Sequence, residues 1–225
     1  MSDPVRVRMA GMKNRMKTDV AAGNVPAATH EDAMRITAGM FRGRSLKTTS
    51  GPGYRPATSR VREAVFSMLE ARGIVWGGVR VLDLFAGSGS LGFEAASRGA
   101  PEICLVEKAA AAVECLRRNA EALGMGPDQC RIVAADVARF LRPGTGQAYD
   151  IVFVDPPYGE NRLAPTLTAV QRGGWLAPGG FLLAEVEASL PAASLVAAGG
   201  DGLHLETERT YGQTRILLWQ FLQSA

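Results

Sequence analysis

Residues that often build reactive sites are scarce in this 225-residue sequence. It has only two histidines, His30 and His204, and both lie outside recognisable motifs. A zinc site and general base catalysis by histidine are therefore not expected, and no metal is predicted. The three cysteines, Cys104, Cys115 and Cys130, show no C-x-x-C spacing. They argue against a disulfide framework and favour a reducing compartment, so we expect a cytoplasmic protein.

Long apolar runs are missing as well. No run approaches the ~18 residues that would span a bilayer, so no membrane association is expected. The composition is 47% hydrophobic and 21% charged, with 26 Gly and 12 Pro. These values indicate a globular chain and exclude disordered, collagen-like and coiled-coil proteins. The length fits one large domain, or one domain with a small appendage.

Charge is distributed unevenly along the chain. Residues 1–62 hold 12 Lys and Arg against 4 Asp and Glu, a net +8, whereas residues 63–225 hold 13 against 18, a net −5. A basic front joined to an acidic body suggests a polyanion-binding element attached to another function. Residues 1–33 lack periodicity and an apolar core segment, so we interpret them as a flexible basic extension. A solvated tail and a basic transit peptide remain open alternatives.

The next segments predict a basic hairpin in front of a larger domain. Within residues 34–57, two short runs flank a Gly-containing turn, which is typical of a β-hairpin, and a Gly- and Pro-rich loop follows. The main domain is predicted over residues 58–225. Its first helix begins where Thr58 or Ser59 can cap it, and an apolar stripe continues to Gly73.

Beyond residue 78, near-continuous apolar runs alternate with helical patterns. The runs cover residues 79–86, 103–106, 130–135, 151–154 and 181–186. Strands that are apolar on both faces, with helical crossovers such as 109–123, predict an α/β fold. Its parallel sheet would be covered by helices on both faces. The last two runs, 204–209 and 214–221, predict a terminal antiparallel pair.

The first run leads into a glycine-rich loop that indicates a cofactor site. Residues 87–92 match G-x-G-x-x-G between a strand and a helix, where glycines let the backbone approach a ligand closely. Glu107 is placed to accept hydrogen bonds from ribose hydroxyls, which predicts an adenosine-containing cofactor. The Asp83 carboxylate would repel a pyrophosphate but attract an ammonium and a sulfonium. We therefore favour S-adenosylmethionine over NAD, although a tight turn would also explain the glycines.

A further acidic residue, Asp136, follows the third run and so lies at the edge of the sheet where ligands bind. Its carboxylate could accept a hydrogen bond from the adenine amino group or cap the next helix, and the two roles are compatible. The residues expected to bind the cofactor are Asp83, Phe85, Ala86, Gly87, Ser88, Gly89, Glu107, Lys108 and Asp136.

The fourth strand ends in Asp155-Pro156-Pro157-Tyr158, the motif with the most specific chemistry. Prolines fix φ and lack an N–H, so they present the carbonyls of this turn rigidly. A nucleobase amine is a poor nucleophile because its lone pair is delocalised into the ring. Hydrogen bonds to the Asp155 carboxylate and the Pro156 carbonyl would draw the nitrogen toward tetrahedral geometry. Tyr158 offers a ring on which the base can stack, and we interpret all four residues as catalytic.

Together these motifs resemble the Rossmann-like S-adenosylmethionine-dependent methyltransferases that act on exocyclic amines. A closer resemblance covers about residues 35–221, and it is to the bacterial 16S ribosomal RNA guanine-N2 methyltransferases of the RsmD type. The segments that carry it are 35–39, 42–44, 55–63 and 83–89. The resemblance implies a seven-stranded sheet, S-adenosylmethionine as cofactor, and a guanine of small-subunit ribosomal RNA as substrate, namely guanine 966.

The basic N-terminal elements are expected to bind RNA, because a basic patch attached to such a fold is typical of nucleic-acid-binding proteins. The expected partner is small-subunit ribosomal RNA within a ribosomal particle, and the chain is expected to be a monomer. Basic side chains there would contact phosphates, although any single one could be a solvated residue. The expected contacts are Arg35, Arg42, Arg44, Lys47, Arg55, Arg60 and Arg62. Ala57 departs from the family, in which a Thr follows Arg-Pro. Residues 1–33 have no counterpart in its compact members.

Other functions remain open at this point. The motif Asp-Pro-Pro-Tyr does not by itself name the base, so another RNA or a DNA amine is an alternative substrate. An NAD-dependent oxidoreductase would use the same glycine loop, but Asp83 and the lack of an evident proton donor disfavour it. A non-catalytic RNA-binding module is a third alternative. Because no Pro-Cys nucleophile motif is present, we expect direct transfer without a covalent enzyme intermediate.

Overall fold

The structure is a computed structural model that describes residues 34–48, 58–142, 144, 147–157, 161–190 and 202–222. All of these belong to one unit of the chain, Asp32–Ala225. The predictions made for residues 1–33, Arg55, Ala57 and Tyr158 lie outside the described residues.

The described chain begins with the predicted hairpin. Strands β1 (Met34–Arg35) and β2 (Ser45–Leu46) pair in antiparallel register, with Met34 opposite Leu46. Helix α1 (Ser59–Glu70) follows, and the Thr58 hydroxyl oxygen accepts a hydrogen bond from the Val61 N–H at 3.3 Å. Capping by Thr58 is therefore confirmed, because this hydroxyl satisfies one of the first free N–H groups.

Within the described residues the main sheet has seven strands, which confirms the predicted architecture. They are β3 (Arg80–Leu84), β4 (Glu102–Glu107), β5 (Cys130–Ala134), β6 (Tyr149–Val154), β7 (Leu176–Glu187), β8 (Leu203–Tyr211) and β9 (Thr214–Phe221). Their order across the sheet is β5-β4-β3-β6-β7-β9-β8. Strands β3 to β7 are parallel, and β9 runs antiparallel between β7 and β8.

Helices cover both faces of this sheet. Besides α1 and a short 3₁₀ helix (Trp76–Gly78), they are α2 (Ser90–Arg98), α3 (Ala110–Leu123), α4 (Val137–Leu141) and α5 (Leu163–Arg172). Alternate strand residues belong to different hydrophobic cores, as the two-residue repeat of a strand requires. Phe153 joins the core that contains Phe66 and Leu116, whereas Val152 joins the core that contains Leu167.

The strand order reverses at β3, which lies between β4 and β6. At such a point, neighbouring crossovers leave the sheet on opposite sides and open a crevice at the carboxyl ends of the strands. Leu84 and Val154 pair near the ends of β3 and β6, and the Asp155 N–H donates to the Leu84 carbonyl at 3.4 Å. The fold thus brings the glycine loop and the Asp-Pro-Pro turn to one edge.

Candidate cofactor and catalytic site

The glycine loop adopts backbone conformations that favour glycine. Gly87 and Gly89 have φ values of 56° and 81°, in the left-handed region. A Cβ on Gly89 would lie 2.4 Å from the Phe93 ring and 2.8 Å from the Leu116 side chain, so glycine is also needed for space. Phe85 enters the loop with φ 63°, a strained conformation of the kind found at ligand sites. Ala86 and Ser88 are buried, and Lys108 is exposed.

Asp83 lies beneath this loop and is 2% exposed. Its Oδ2 accepts a hydrogen bond from the Gly92 N–H at 2.9 Å, which ties the end of β3 to the first turn of α2. Burial raises the pKa of Asp83 to about 7; the Gly92 bond opposes this rise, and the charge of Glu107 adds to it. The carboxyl therefore changes its charge near neutral pH, next to the expected cofactor site.

Glu107, at the end of β4, contacts the glycine loop directly. Its Oε2 accepts from the Gly87 N–H at 3.1 Å, and its Oε1 accepts from the N–H groups of Lys108 and Ala109 at 2.7 and 2.8 Å. A carboxylate oxygen has two lone pairs, so acceptor capacity remains for a ribose hydroxyl. Binding of the ribose by Glu107 stays a prediction that this geometry permits.

Asp136 caps α4, as one of its two interpretations required. Its Oδ1 accepts from the N–H groups of Ala138 and Arg139 at 2.9 and 3.3 Å, and its Oδ2 lies 3.1 Å from Arg162 Nη1. Partial burial raises the pKa of Asp136, but the bonds from Arg162 and the two backbone groups outweigh burial and lower it. The adenine contact stays a prediction. No sequence pattern connected Arg162 with this site.

The Asp-Pro-Pro turn leaves β6 at the same edge. Pro156 is buried, and Asp155 and Pro157 are partly exposed. Burial raises the pKa of Asp155 well above its ordinary value, and the charges of Glu185 and Asp83 raise it further. A carboxyl of this kind holds a proton more readily than an exposed aspartate does. The fourth predicted catalytic residue, Tyr158, lies outside the described residues.

Glu185 is a further carboxyl at this edge, and sequence reasoning missed it. It lies on β7, one residue past Ala184, which pairs with Val154, and it is 3% exposed. Burial raises its pKa to about 7, while a hydrogen bond from Thr214 and the charge of Arg62 lower it. In the sequence, a buried carboxyl is indicated here only by the position of Glu185 within a run of apolar strand residues.

Arg62 is placed differently from the phosphate contact that we expected. Its side chain is 3% exposed, and its Nη2 donates to the Arg35 carbonyl at 2.7 Å. Burial lowers its pKa, whereas the charges of Glu94, Glu63 and Glu185 raise it. The guanidinium therefore balances buried carboxylates, and it does not offer its charge at the surface.

The other described residues of the predicted RNA-binding set are on the surface. Those with exposed side chains are Arg35, Arg42, Arg44, Lys47 and Arg60. Arg35 Nη1 donates to the Gly43 carbonyl at 3.1 Å, and the Arg44 guanidinium donates to the Ala122 carbonyl of α3. These bonds hold the guanidinium groups of Arg35 and Arg44, and the side chains of Arg42, Lys47 and Arg60 are exposed as well.

Glu94 anchors the hairpin to α2, a role that sequence reasoning missed. Its carboxylate is 0% exposed and accepts from the Thr37 N–H at 2.8 Å, the Thr37 hydroxyl at 2.7 Å and the Ala38 N–H at 3.0 Å. Arg98 Nε donates to it at 3.1 Å. A single Glu in a helix usually indicates a solvated face, so no local signal distinguished it.

All three cysteines are buried without a disulfide, and burial raises the pKa of Cys130 to about 12, so it stays protonated. Within the ranges given above, no group of His, Cys, Asp or Glu side chains is arranged to hold a metal ion. Among the same residues, no helix has the length and apolar character needed to cross a membrane.

Comparison with known proteins adds to this geometry. A family model described as "Conserved hypothetical protein 95" matches residues 34–220. The Escherichia coli protein named ribosomal RNA small subunit methyltransferase D is 38% identical over 189 residues, which cover 83% of this chain and 89% of that protein. A Haemophilus influenzae protein of the same name is 33% identical over 159 residues, covering 70% of this chain and 81% of its own length.

Solved structures show the same likeness. The Escherichia coli yhhF protein superposes with a TM-score of 0.73 at 34% identity, covering 85% of this chain and 99% of that chain. A hypothetical protein from Thermus thermophilus gives a TM-score of 0.68 at 33% identity, covering 83% and 98%. The chain therefore belongs to the Conserved hypothetical protein 95 family, which is the RsmD family, as the sequence motifs predicted.

Proposed function

We propose that this protein methylates small-subunit ribosomal RNA, and that the acceptor is the exocyclic N2 amine of guanine 966 in 16S RNA. The observation that carries the proposal is the position of the Asp155-Pro156 turn. It leaves β6 beside Leu84 of β3, on the edge that also holds the glycine loop. The names of the similar Escherichia coli and Haemophilus influenzae proteins support ribosomal RNA as the substrate class.

The residues at the loop fit S-adenosylmethionine. When bound, this cofactor supplies an electrophilic methyl group on a sulfonium sulfur. The bare backbone at Gly87 and Gly89 allows close approach, and Glu107 keeps acceptor capacity for ribose hydroxyls. Ionised Asp83 favours a cationic ligand over a pyrophosphate. Asp136 completes the set as an acceptor for the adenine amino group.

The Asp-Pro-Pro turn would activate the amine. One N2 hydrogen donates to the Asp155 carboxylate and the other to the Pro156 carbonyl, which localises the nitrogen lone pair. As the nitrogen gains a methyl group, it must lose one proton, and the Asp155 carboxylate would accept it. Burial and the nearby charges of Glu185 and Asp83 raise its pKa, and a carboxylate with a raised pKa is a stronger base for this proton. Positioning and these preset acceptors supply the rate gain, without a covalent enzyme intermediate.

The exposed basic residues would hold the RNA. Arg35, Arg42, Arg44, Lys47 and Arg60 present cations that can contact phosphates, and such contacts orient a nucleic acid without reading its sequence. The bonds from Thr37 and Ala38 to Glu94 fix the hairpin on α2, the helix that begins at the glycine loop. The RNA-binding element and the cofactor loop are thus held by one helix.

The test is methyl transfer with the full chain. Small ribosomal subunits that lack the modification are incubated with methyl-labelled S-adenosylmethionine, beside naked 16S RNA and duplex DNA. Label released as N2-methylguanosine, with a primer-extension stop at guanine 966, is the expected result. Label in another nucleoside, or no label in any of the three substrates, would contradict the proposal. Comparison of subunits with naked RNA identifies the form of substrate that is recognised.

A further inference from the structure

One buried amide contacts two segments that have different proposed roles. Asn119 lies on α3 and is 2% exposed. Its Oδ1 accepts from the Lys47 N–H at 2.9 Å, and its Nδ2 donates to the Lys47 carbonyl at 3.0 Å. The same Nδ2 donates to the carbonyl of Ser88, in the glycine loop, at 3.1 Å. The segment after β2 and the cofactor loop therefore share one side chain.

The chemistry of this contact requires an amide. The Asn119 side chain offers two donors and one acceptor oxygen, and it uses all of them on backbone groups. Aspartate has the same size, but its carboxylate would face the two carbonyl oxygens with no hydrogen to donate. Leucine would leave those groups buried without partners, which is costly. A packing role alone does not need this combination of donors and acceptor.

Neighbouring residues of α3 reinforce the same connection. The Cys115 thiol donates to the Lys47 carbonyl at 3.1 Å, and the Leu116 side chain packs against Gly89, where an added Cβ would lie 2.8 Å away. The Arg44 guanidinium bonds to the Ala122 carbonyl on the last turn of the same helix. Lys47 itself has an exposed side chain. Its backbone is therefore fixed on α3 while its ammonium faces solvent.

We propose that Asn119 is a positioning residue that couples the binding of S-adenosylmethionine to the binding of RNA. Its amide fixes the Ser88 carbonyl of the cofactor loop and the backbone of Lys47 at once, so a ligand that orders one segment favours the bound geometry of the other. This proposal rests on the RNA contact proposed for Lys47. Coupling is reciprocal, so each ligand must raise the affinity for the other by the same factor.

The experiment measures that factor with unreactive ligands. S-adenosylhomocysteine affinity is determined by calorimetry with and without a 16S RNA fragment that contains the target guanine, and RNA affinity is determined with and without S-adenosylhomocysteine. We expect equal factors of at least about fivefold for the parent chain, the lower end of typical allosteric coupling. In Asn119→Asp and Asn119→Ser the factor falls to about one. Glu114→Gln, an exposed ion-pair residue on the same helix, retains the parental factor.

Two results would overturn the proposal: a parental factor of one, or an unchanged factor in both Asn119 variants. A second measurement uses only the parent chain and no RNA, so it tests the proposal even if the Asn119 variants fail to fold. S-adenosylhomocysteine should slow hydrogen exchange of the Lys47 amide in the parent chain, and unchanged exchange there contradicts the coupling. If S-adenosylhomocysteine protects this amide but no RNA is bound or methylated, the proposed substrate is wrong. The structural connection from the cofactor loop to Lys47 through Asn119 is then still supported.

Discussion

Glu107 Oε2 accepts a hydrogen bond from the Gly87 N–H at 3.1 Å, and this bond joins the end of β4 to the first glycine of the cofactor loop. Glu107 ends β4, and Gly87 lies in the loop that follows β3, the neighbouring strand at which the strand order reverses. A single carboxylate therefore shapes the loop and keeps acceptor capacity for the ribose hydroxyls that we propose it binds. Substitutions at this position separate the two contributions.

Glu107→Ala should lower the affinity for S-adenosylmethionine by about 10- to 100-fold, because hydrogen bonds to a charged acceptor contribute about 1.5–3 kcal/mol. Glu107→Gln retains one acceptor oxygen, so its affinity for S-adenosylmethionine should fall less than that of the alanine variant. Isothermal calorimetry measures both values. Glu114→Gln, on the exposed face of α3, is the matched control. If the alanine variant binds the cofactor with the parental affinity, Glu107 does not contribute to cofactor binding.

Asp155→Ala should keep cofactor affinity and lose most turnover. The carboxylate is assigned to the reacting amine, so its removal acts on the transition state; kcat should fall about 100- to 1000-fold, as for other preset acceptors and donors. Single-turnover methylation assays and calorimetry on the same samples measure the two properties. Glu102→Gln, near the opposite end of the sheet, serves as control. A variant with the parental kcat would show that the assignment is wrong.

Cofactor affinity should rise as the pH increases through about 7. The pKa of Asp83 is raised to about 7 by burial, so its carboxyl is neutral below that pH and negative above it. A negative charge favours the cationic ligand. Calorimetry at pH 6 and pH 8 tests this expectation, and Asp83→Asn should make the affinities at the two pH values more alike. An unchanged pH dependence in that variant would contradict the role of Asp83.

The same shift predicts how the free energy of unfolding changes with pH. Asp83 and Glu185 both have a pKa of about 7 in the folded chain, above the ordinary carboxyl range. Between about pH 4 and pH 7 the folded state holds protons that the unfolded state has released. The contribution of these groups to stability is therefore full at low pH and is lost as the pH rises through 7. Denaturant titrations of the parent and Asp83→Asn measure this contribution.

Glu94→Ala should weaken docking of the hairpin and lower stability by about 3–5 kcal/mol, because it leaves the buried side of the Arg98 guanidinium without its carboxylate. Thr37 and Ala38 lose their acceptor in the same variant. Urea denaturation measures the change. The matched Glu114→Ala, on an exposed helix face, should change stability by less than about 1 kcal/mol. Equal losses in the two variants would contradict an anchoring role.

Two arginines that were assigned the same role should behave differently. Arg42→Ala removes an exposed cation and should lower RNA affinity, with the slope of log affinity against log salt reduced by about one. Arg62→Ala leaves Glu185 without its buried counter-charge, so the free energy of unfolding should fall by about 3–5 kcal/mol. Fluorescence anisotropy at several salt concentrations and urea titrations distinguish the variants. A stable Arg62→Ala protein with a reduced salt slope would reverse our interpretation.

Strand and helix order could be predicted because the repeat of apolar residues is a local property of the chain. The last strand is observed over Thr214–Phe221, as predicted, and α4 begins after Asp136. Strand β7 was underestimated, since the run 181–186 extends to Leu176–Glu187 in the structure. Residues 178–180 are Pro-Gly-Gly, a sequence that is not typical of a strand. They belong to β7 because Tyr149 of β6 pairs with Leu176 beyond an irregularity in the register.

The sequence by itself determined the order of the elements and the acidic and glycine-rich turns that end its strands. Only the tertiary structure decided which charged and polar side chains turn inward. Arg60 and Arg62 differ by two residues, about 200° around a helix, and one faces solvent while the other is buried. Asn119 meets a partner 72 residues away. Such burial depends on what packs against each helix face, and a local pattern does not contain that information.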